Sequence, residues 1–241
     1  MNTTTATPSH AIVSDARWTE ERQKLLAREK ELTRLRDQVA GERRALPWRR
    51  ITKDYVFDTP AGKRTLAELF GGRRQLVVQH FMLGPGWEQG CPSCSYMADH
   101  VDGMTIHLAH RDISFTAVSR APLAEILRFR QRMGWRFDWV SSHGSDFNFD
   151  FAVSFTQEEL ATGEVNYNYR KGYFPAEEAP GISVFCQDEA GEVFHTYSTF
   201  GRGVEVMMGA YGLMDLTPRG RNERDVFYKM EWLRHHDRYE T

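Results

Sequence analysis

The chain is 241 residues long, 41% hydrophobic and 27% charged, with a formal net charge of −2. That length buries one substantial core with room for an arm or an insertion, and the near-balanced charge excludes any general attraction to nucleic acid or anionic membrane. Three cysteines cannot make a disulfide framework, so a close pair among them points to redox or metal chemistry.

Residues 1–16 are Thr- and Ser-rich, have little to bury and are expected to form a disordered tail. They hold neither the basic nor the apolar segment of a secretory signal, and no apolar run approaches the ~20 residues of a membrane helix. A cytoplasmic location without a membrane partner follows by default. Residues 17–48 read as a charged helical arm. Trp18, Leu25, Leu32, Val39 and Leu46 recur every seven residues, with Leu35 beside them, but Glu21, Arg28 and Glu42 stand where a coiled coil wants apolar side chains. The pattern suits a helix laid on its own domain as well as an arm pairing two copies into a homodimer. Gly41 and Pro47 mark its end.

From residue 49 strands and helices alternate. A hairpin about the turn Asp58-Thr59-Pro60-Ala61-Gly62 leads into a short helix, and the apolar run 76–83 reads as the main strand. Gly90-Cys91-Pro92-Ser93-Cys94 follows, and beyond it Met97, Val101, Met104 and Leu108 mark one helical stripe. Residues 113–119 alternate as a strand. Pro122 opens a helix that runs to Met133 and stops at Gly134, and 135–140 read as a further strand. Residues 141–180 are expected as an insertion of turns and short strands around 151–155. A strand–turn–strand hairpin covers 180–197 and a helix about 204–213; the tail 217–241 has no assignable element. This order is an α/β sandwich with a mixed central sheet, the thioredoxin-like fold, over residues 49–216. It adds an N-terminal helical arm and an insertion before the C-terminal hairpin.

The chemistry is expected at Cys91 and Cys94. With Cys91 as the N-cap, Pro92 falls on the first helical position, where its missing N–H costs nothing. The Cys91 sulfur then faces unpaired backbone N–H groups and the positive end of the helix, which favours thiolate. Cys94, nearly one turn on, can close a disulfide with it. The spacing Cys91-x2-Cys94-x12-His107-x2-His110 nearly copies a zinc site, but a continuous helix puts His107 about 20 Å from Cys94. No metal is expected, and no cofactor beyond the Cys91–Cys94 disulfide. His80 is a candidate acid–base partner, Trp87 a candidate pocket wall, and Arg120 a candidate cation for a thiolate or a peroxide. A structural histidine, a core aromatic and a salt bridge are the respective alternatives. Cys186 reads as a small buried residue, Asn148 and Asp150 as turn formers, and His235-His236-Asp237 as a solvated tail.

Several stretches together resemble a bacterial family, the predicted dithiol–disulfide oxidoreductases known as domain of unknown function 899. They are Arg43-Arg44-Ala45-Leu46-Pro47-Trp48, His80-Phe81-Met82 with Gly90-Cys91-Pro92-Ser93-Cys94-Ser95, Val118-Ser119-Arg120-Ala121-Pro122, and Arg132-Met133-Gly134-Trp135. Asp146-Phe147-Asn148-Phe149-Asp150-Phe151 and His195-Thr196-Tyr197-Ser198 complete the match. The resemblance implies a thioredoxin-like fold and a thiol redox activity and supplies no substrate. Unlike ordinary thioredoxins, the chain has Trp87 four residues before Cys91 and Pro92 in the first intervening position, which leaves potential and direction open. The cis-proline loop of that fold most resembles Ala179-Pro180, and Pro180 would hold an extended substrate segment against Cys91. Three functions therefore stand: a thiol–disulfide oxidoreductase, a peroxiredoxin-like thiol peroxidase, and a non-catalytic thioredoxin-like binding or scaffold protein. The first needs a protein or small-molecule disulfide as substrate and a thiol electron donor such as thioredoxin or glutathione.

Overall fold

The computed structural model describes residues 10–240, so most of the expected disordered tail lies outside the described residues. Ser14 caps α1 (Asp15–Arg44), its hydroxyl accepting the Arg17 N–H. Good helix formers and one-turn ion pairs such as Arg17–Glu21 and Lys24–Glu20 hold this helix without tertiary help. None of its residues is buried, and Trp18 is 62% and Leu35 54% exposed. A helix laid on its own domain is therefore not what forms. Charges interrupt the apolar stripe too often for it to seat.

The remaining strands are β1 (Arg49–Arg50), β2 (Val56–Thr59), β3 (Gly62–Thr65), β4 (Gln75–His80), β5 (Ile113–Ser119), β6 (Asp138–Ser141), β7 (Val165–Tyr167), β8 (Arg170–Gly172), β9 (Gly181–Gln187) and β10 (Val193–Phe200). The helices are α2 (Pro92–Val101), α3 (Thr105–Ala109), α4 (Leu123–Met133), α5 (Phe147–Asp150), α6 (Gln157–Ala161) and α7 (Gly209–Met214). Eight strands form one sheet in the order β1-β10-β9-β4-β5-β6-β2-β3. Central β4 runs parallel to β5 and antiparallel to β9, β6 is parallel to β5, and β10 closes antiparallel on β9. Parallel strands joined through helices and closed by an antiparallel hairpin make this a thioredoxin-like fold.

Strand alternation divides the core into two layers. Phe81, just past β4, joins Met97, Val101, Phe129 and Trp139 on one face. Leu76 and Val78 join Phe70, Phe147 and Phe185 on the other. The turn between β4 and α2 leaves from the carboxyl ends of the parallel strands, where an α/β sheet opens a crevice.

Four expectations change. The stripe after Cys94 is two helices, because the chain breaks at Asp102-Gly103-Met104 and leaves Met104 exposed. Residues 151–155 make no strand; the insertion folds as α5, α6 and the β7–β8 hairpin around Phe155, Val165 and Ala179. The helix over 204–213 is a 3-10 segment Gly201–Met207 followed by α7, parted at Met208. The segment after 217 is no loose tail: Glu223, Leu233 and His235 are buried in it. Among the described residues no helix is long and apolar enough to cross a membrane.

Candidate active site

The loop after β4 folds back on itself where the Cys91 N–H donates to the Met82 carbonyl at 3.0 Å. Gly90 allows this close approach: a Cβ there would meet the Phe81 ring at 2.5 Å and the Phe129 ring at 2.8 Å. Cys91 is the N-cap of α2 with Pro92 at the first helical position, and its carbonyl accepts the Ser95 N–H at 2.9 Å. Local chemistry suffices for this, since Pro92 is pre-set for the first turn and lacks the N–H that would go unpaired.

Both cysteines are free thiols, and their surroundings differ. Cys91 is partly exposed, with its sulfur 3.0 Å from the Ser93 hydroxyl. A hydrogen bond from the Cys94 thiol, helped by the Ser93 hydroxyl and by the Ser93 and Cys94 backbone N–H groups, outweighs burial and brings the Cys91 pKa down to about 6. Cys94 is fully buried, and burial first, then its bond to Cys91, pushes its thiol well above the ordinary range. The Met82 N–H lies 3.5 Å from the Cys94 sulfur, and the Gln79 side-chain amide donates to the Cys94 carbonyl at 3.1 Å. One thiol thus ionises near neutrality while its neighbour keeps its proton.

His80 is not beside this pair. It shares the β4 face of Leu76 and Val78, stacks on Phe151 and bonds the Ser183 hydroxyl at 2.8 Å. Burial, then the nearby His195, drops its pKa to about 3, so it is a neutral structural histidine and not an acid–base partner of the thiols. The parity of the strand, with Gln79 and Phe81 on the thiol face, was the signal that separates them. Arg120 is likewise corrected. Its guanidinium bonds Glu178 at 2.6 Å, lies 3.8 Å from Glu177 and stacks over Phe149, so it is the counter-charge of a buried carboxylate. Glu177 also accepts the Trp87 indole N–H at 3.1 Å, which ties Trp87 to the same acidic pair.

Among the described residues there is no cis peptide bond, so Ala179–Pro180 is trans, the ordinary state of a chain running straight into β9. Pro180 nevertheless lines a cleft of about 830 Å³ together with Ser93 and Met97 of α2. Among the described residues no three His, Cys, Asp or Glu side chains gather closely enough to hold a metal ion.

Sequence reasoning missed Ser93, Gln79 and His235. Ser93 lies inside the motif and was open to view. His235 was not: its ring bonds the Gly90 carbonyl at 2.8 Å from 145 residues away and is buried, not solvated. Its other ring nitrogen lies 3.3 Å from Arg132, which pairs with Asp237 at 2.8 Å, so the end of the chain fastens the residue before Cys91.

The family model described as a bacterial protein of unknown function, DUF899, matches residues 7–239. No curated protein matches the chain. The bacterioferritin comigratory protein of Xanthomonas campestris is a similar solved structure, at 12% identity over 68% of this chain and 96% of its own, with a TM-score of 0.47. Peroxidoxin BcpB of Mycobacterium tuberculosis shows 13% identity over 68% and 97%, with a TM-score of 0.45. Likeness at this level bears on neither substrate nor activity.

Proposed function

We propose that this chain, which belongs to the bacterial DUF899 family, is a thiol–disulfide oxidoreductase with Cys91 as nucleophile and Cys94 as resolving thiol. What supports this reading is two thiols at one helix start, Cys91 partly exposed at the N-cap with its sulfur 3.0 Å from the Ser93 hydroxyl and its pKa lowered to about 6, and Cys94 fully buried and raised. At pH 7 such a Cys91 is mostly thiolate, against a few per cent for a free thiol.

The Cys91 thiolate attacks one sulfur of a substrate disulfide. That S–S bond breaks, one half leaves as thiolate and takes a proton from solvent, and a mixed disulfide remains on Cys91. Cys94 then loses its proton and attacks the Cys91 sulfur. The second half leaves with the electron pair and is protonated, so two electrons have passed from the dithiol to the substrate. A thiol donor returns them and restores the starting state.

The test is reduction of a model disulfide by pre-reduced protein. Cys91→Ser is expected to abolish it, and Cys94→Ser to stop at a trapped mixed disulfide visible by mass. A Cys91→Ser protein as active as wild type ends the proposal. Rapid peroxide consumption that needs Cys91, without disulfide reduction, would instead assign a peroxidase in which Cys91 becomes sulfenic acid and Cys94 condenses with it.

A further inference from the structure

The cleft of about 830 Å³ is walled on one side by α2 and on the other by the segment after α7. Ser93 lines it, and the Ser93 hydroxyl is 3.0 Å from the Cys91 sulfur, so the cleft comes within one side chain of the nucleophile. Met97, Met208, Tyr211 and Met230 supply apolar surface. The outer wall is built, not draped. Buried Glu223 accepts the Tyr211 hydroxyl at 2.7 Å, the Met230 N–H at 3.0 Å and the Trp232 indole N–H at 2.7 Å.

Charge along the lining is mixed. Arg202 pairs with Glu205 at 2.8 Å, and Arg221 with Asp215 at 2.9 Å, so these four neutralise one another within the wall. Arg224 and Asp225 also line the cleft, are exposed, and among the described residues have no ion-pair partner. Lys229 lines it as well, exposed, its ammonium donating to the Glu223 backbone carbonyl and making no ion pair among the described residues, so two cations and one anion are presented to a ligand. A concave site of this size takes small molecules. A ligand carrying only positive charge would meet repulsion here, whereas one with carboxylate groups and an ammonium group would be matched.

We infer that this cleft binds low-molecular-weight disulfides of short-peptide size that carry carboxylate and ammonium groups, with the scissile sulfur toward Ser93 and the charged groups on Arg224, Asp225 and Lys229. The inference rests on the redox reading for its chemistry and narrows it from disulfides in general to this class. The electron balance is that of the dithiol exchange above: one small disulfide becomes two small thiols, and the dithiol becomes the Cys91–Cys94 disulfide.

The probe is oxidised glutathione, and two readouts separate the claims. The first is calorimetric binding to Cys91→Ser protein, which needs no turnover. The second is single-turnover reduction by pre-reduced protein, compared with insulin and with uncharged 2-hydroxyethyl disulfide. Saturable binding is expected, together with a preference for oxidised glutathione of roughly ten-fold or more in maximal single-turnover rate divided by half-saturating concentration. In Arg224→Ala and Asp225→Ala the half-saturating concentration should rise about ten-fold while the maximal rate stays within about two-fold. Binding without reduction of any disulfide would uphold the cleft and remove the redox reading. Reduction without binding, a preference for insulin, or an unmoved half-saturation in both variants would uphold the redox reading and overturn the inference.

Discussion

Cys91 and Cys94 lie three residues apart in the chain, yet one is partly exposed at a helix start and the other is sealed beneath it. Cys91 gathers hydrogen bonds to its charged form, and Cys94 gathers none strong enough to offset burial. Alkylation of reduced protein by iodoacetamide should therefore rise with a midpoint near pH 6. Ser93→Ala, which removes the hydroxyl 3.0 Å from the sulfur, should move that midpoint upward. A midpoint at the free-thiol value of ~8.5 in wild type would show the sulfur is not activated. Gly90→Ala is expected to destabilise the fold by about 1–3 kcal/mol, because its methyl group would enter the Phe81 and Phe129 rings. Thermal unfolding measures it.

At the scale of elements, β4, β9 and β10 are cross-linked on the face away from the thiols. His80 bonds Ser183 at 2.8 Å, Ser183 bonds Ser198 at 2.8 Å, and Ser198 bonds His195 at 2.7 Å. A bulge between His195 and Tyr197 shifts the register of β10 between these two side chains. His80 and His195 have pKa values lowered from 6.5 to about 3 and about 4, by burial first and then by His195 and Arg49 respectively. Between pH 6.5 and about 3 the unfolded chain binds protons that the folded one refuses. Their contribution is whole above pH 6.5 and falls away as the pH drops through that window. Melts from pH 8 to 4 should be level at the alkaline end and decline below about 6.5, more shallowly in His80→Gln; equal slopes in the two proteins would contradict this. The segment after α7 acts as a clamp on the active turn. His235→Ala leaves the Gly90 carbonyl without its partner and is expected to lower stability by about 1–3 kcal/mol. The same variant should broaden the Cys91 alkylation profile, because the turn is no longer fixed.

Taken whole, the molecule has two parts held by different physics. The sheet and its two apolar layers are stabilised by burial, whereas α1 buries nothing and relies on helix propensity and surface ion pairs worth tenths of a kcal/mol each. Deleting residues 1–40 should therefore leave the Tm of the remainder within about 2 °C at micromolar concentration. A large, concentration-dependent drop would mean that a second copy covers Trp18, Leu25 and Leu32 in solution. The sheet also keeps two chemistries apart: the thiols and the cleft lie on one face, the linked histidines on the other.

What the residues settle by themselves is local. Cys91 as N-cap, Pro92 in the first turn, β5, α4 with its stop at Gly134, and the β9–β10 hairpin all follow from caps, turn formers and period-two alternation, which act within a few residues. The face taken by His80 was also legible, from strand parity, though only once β4 was known to separate two layers. Arg120 meets Glu178 58 residues on, and His235 meets Gly90 across 145. Such pairs have no local signature, because closing a long loop leaves no trace in the residues that flank either end. The clamp, the acidic partners of Arg120 and Trp87, and the wall of the cleft were decided by packing alone.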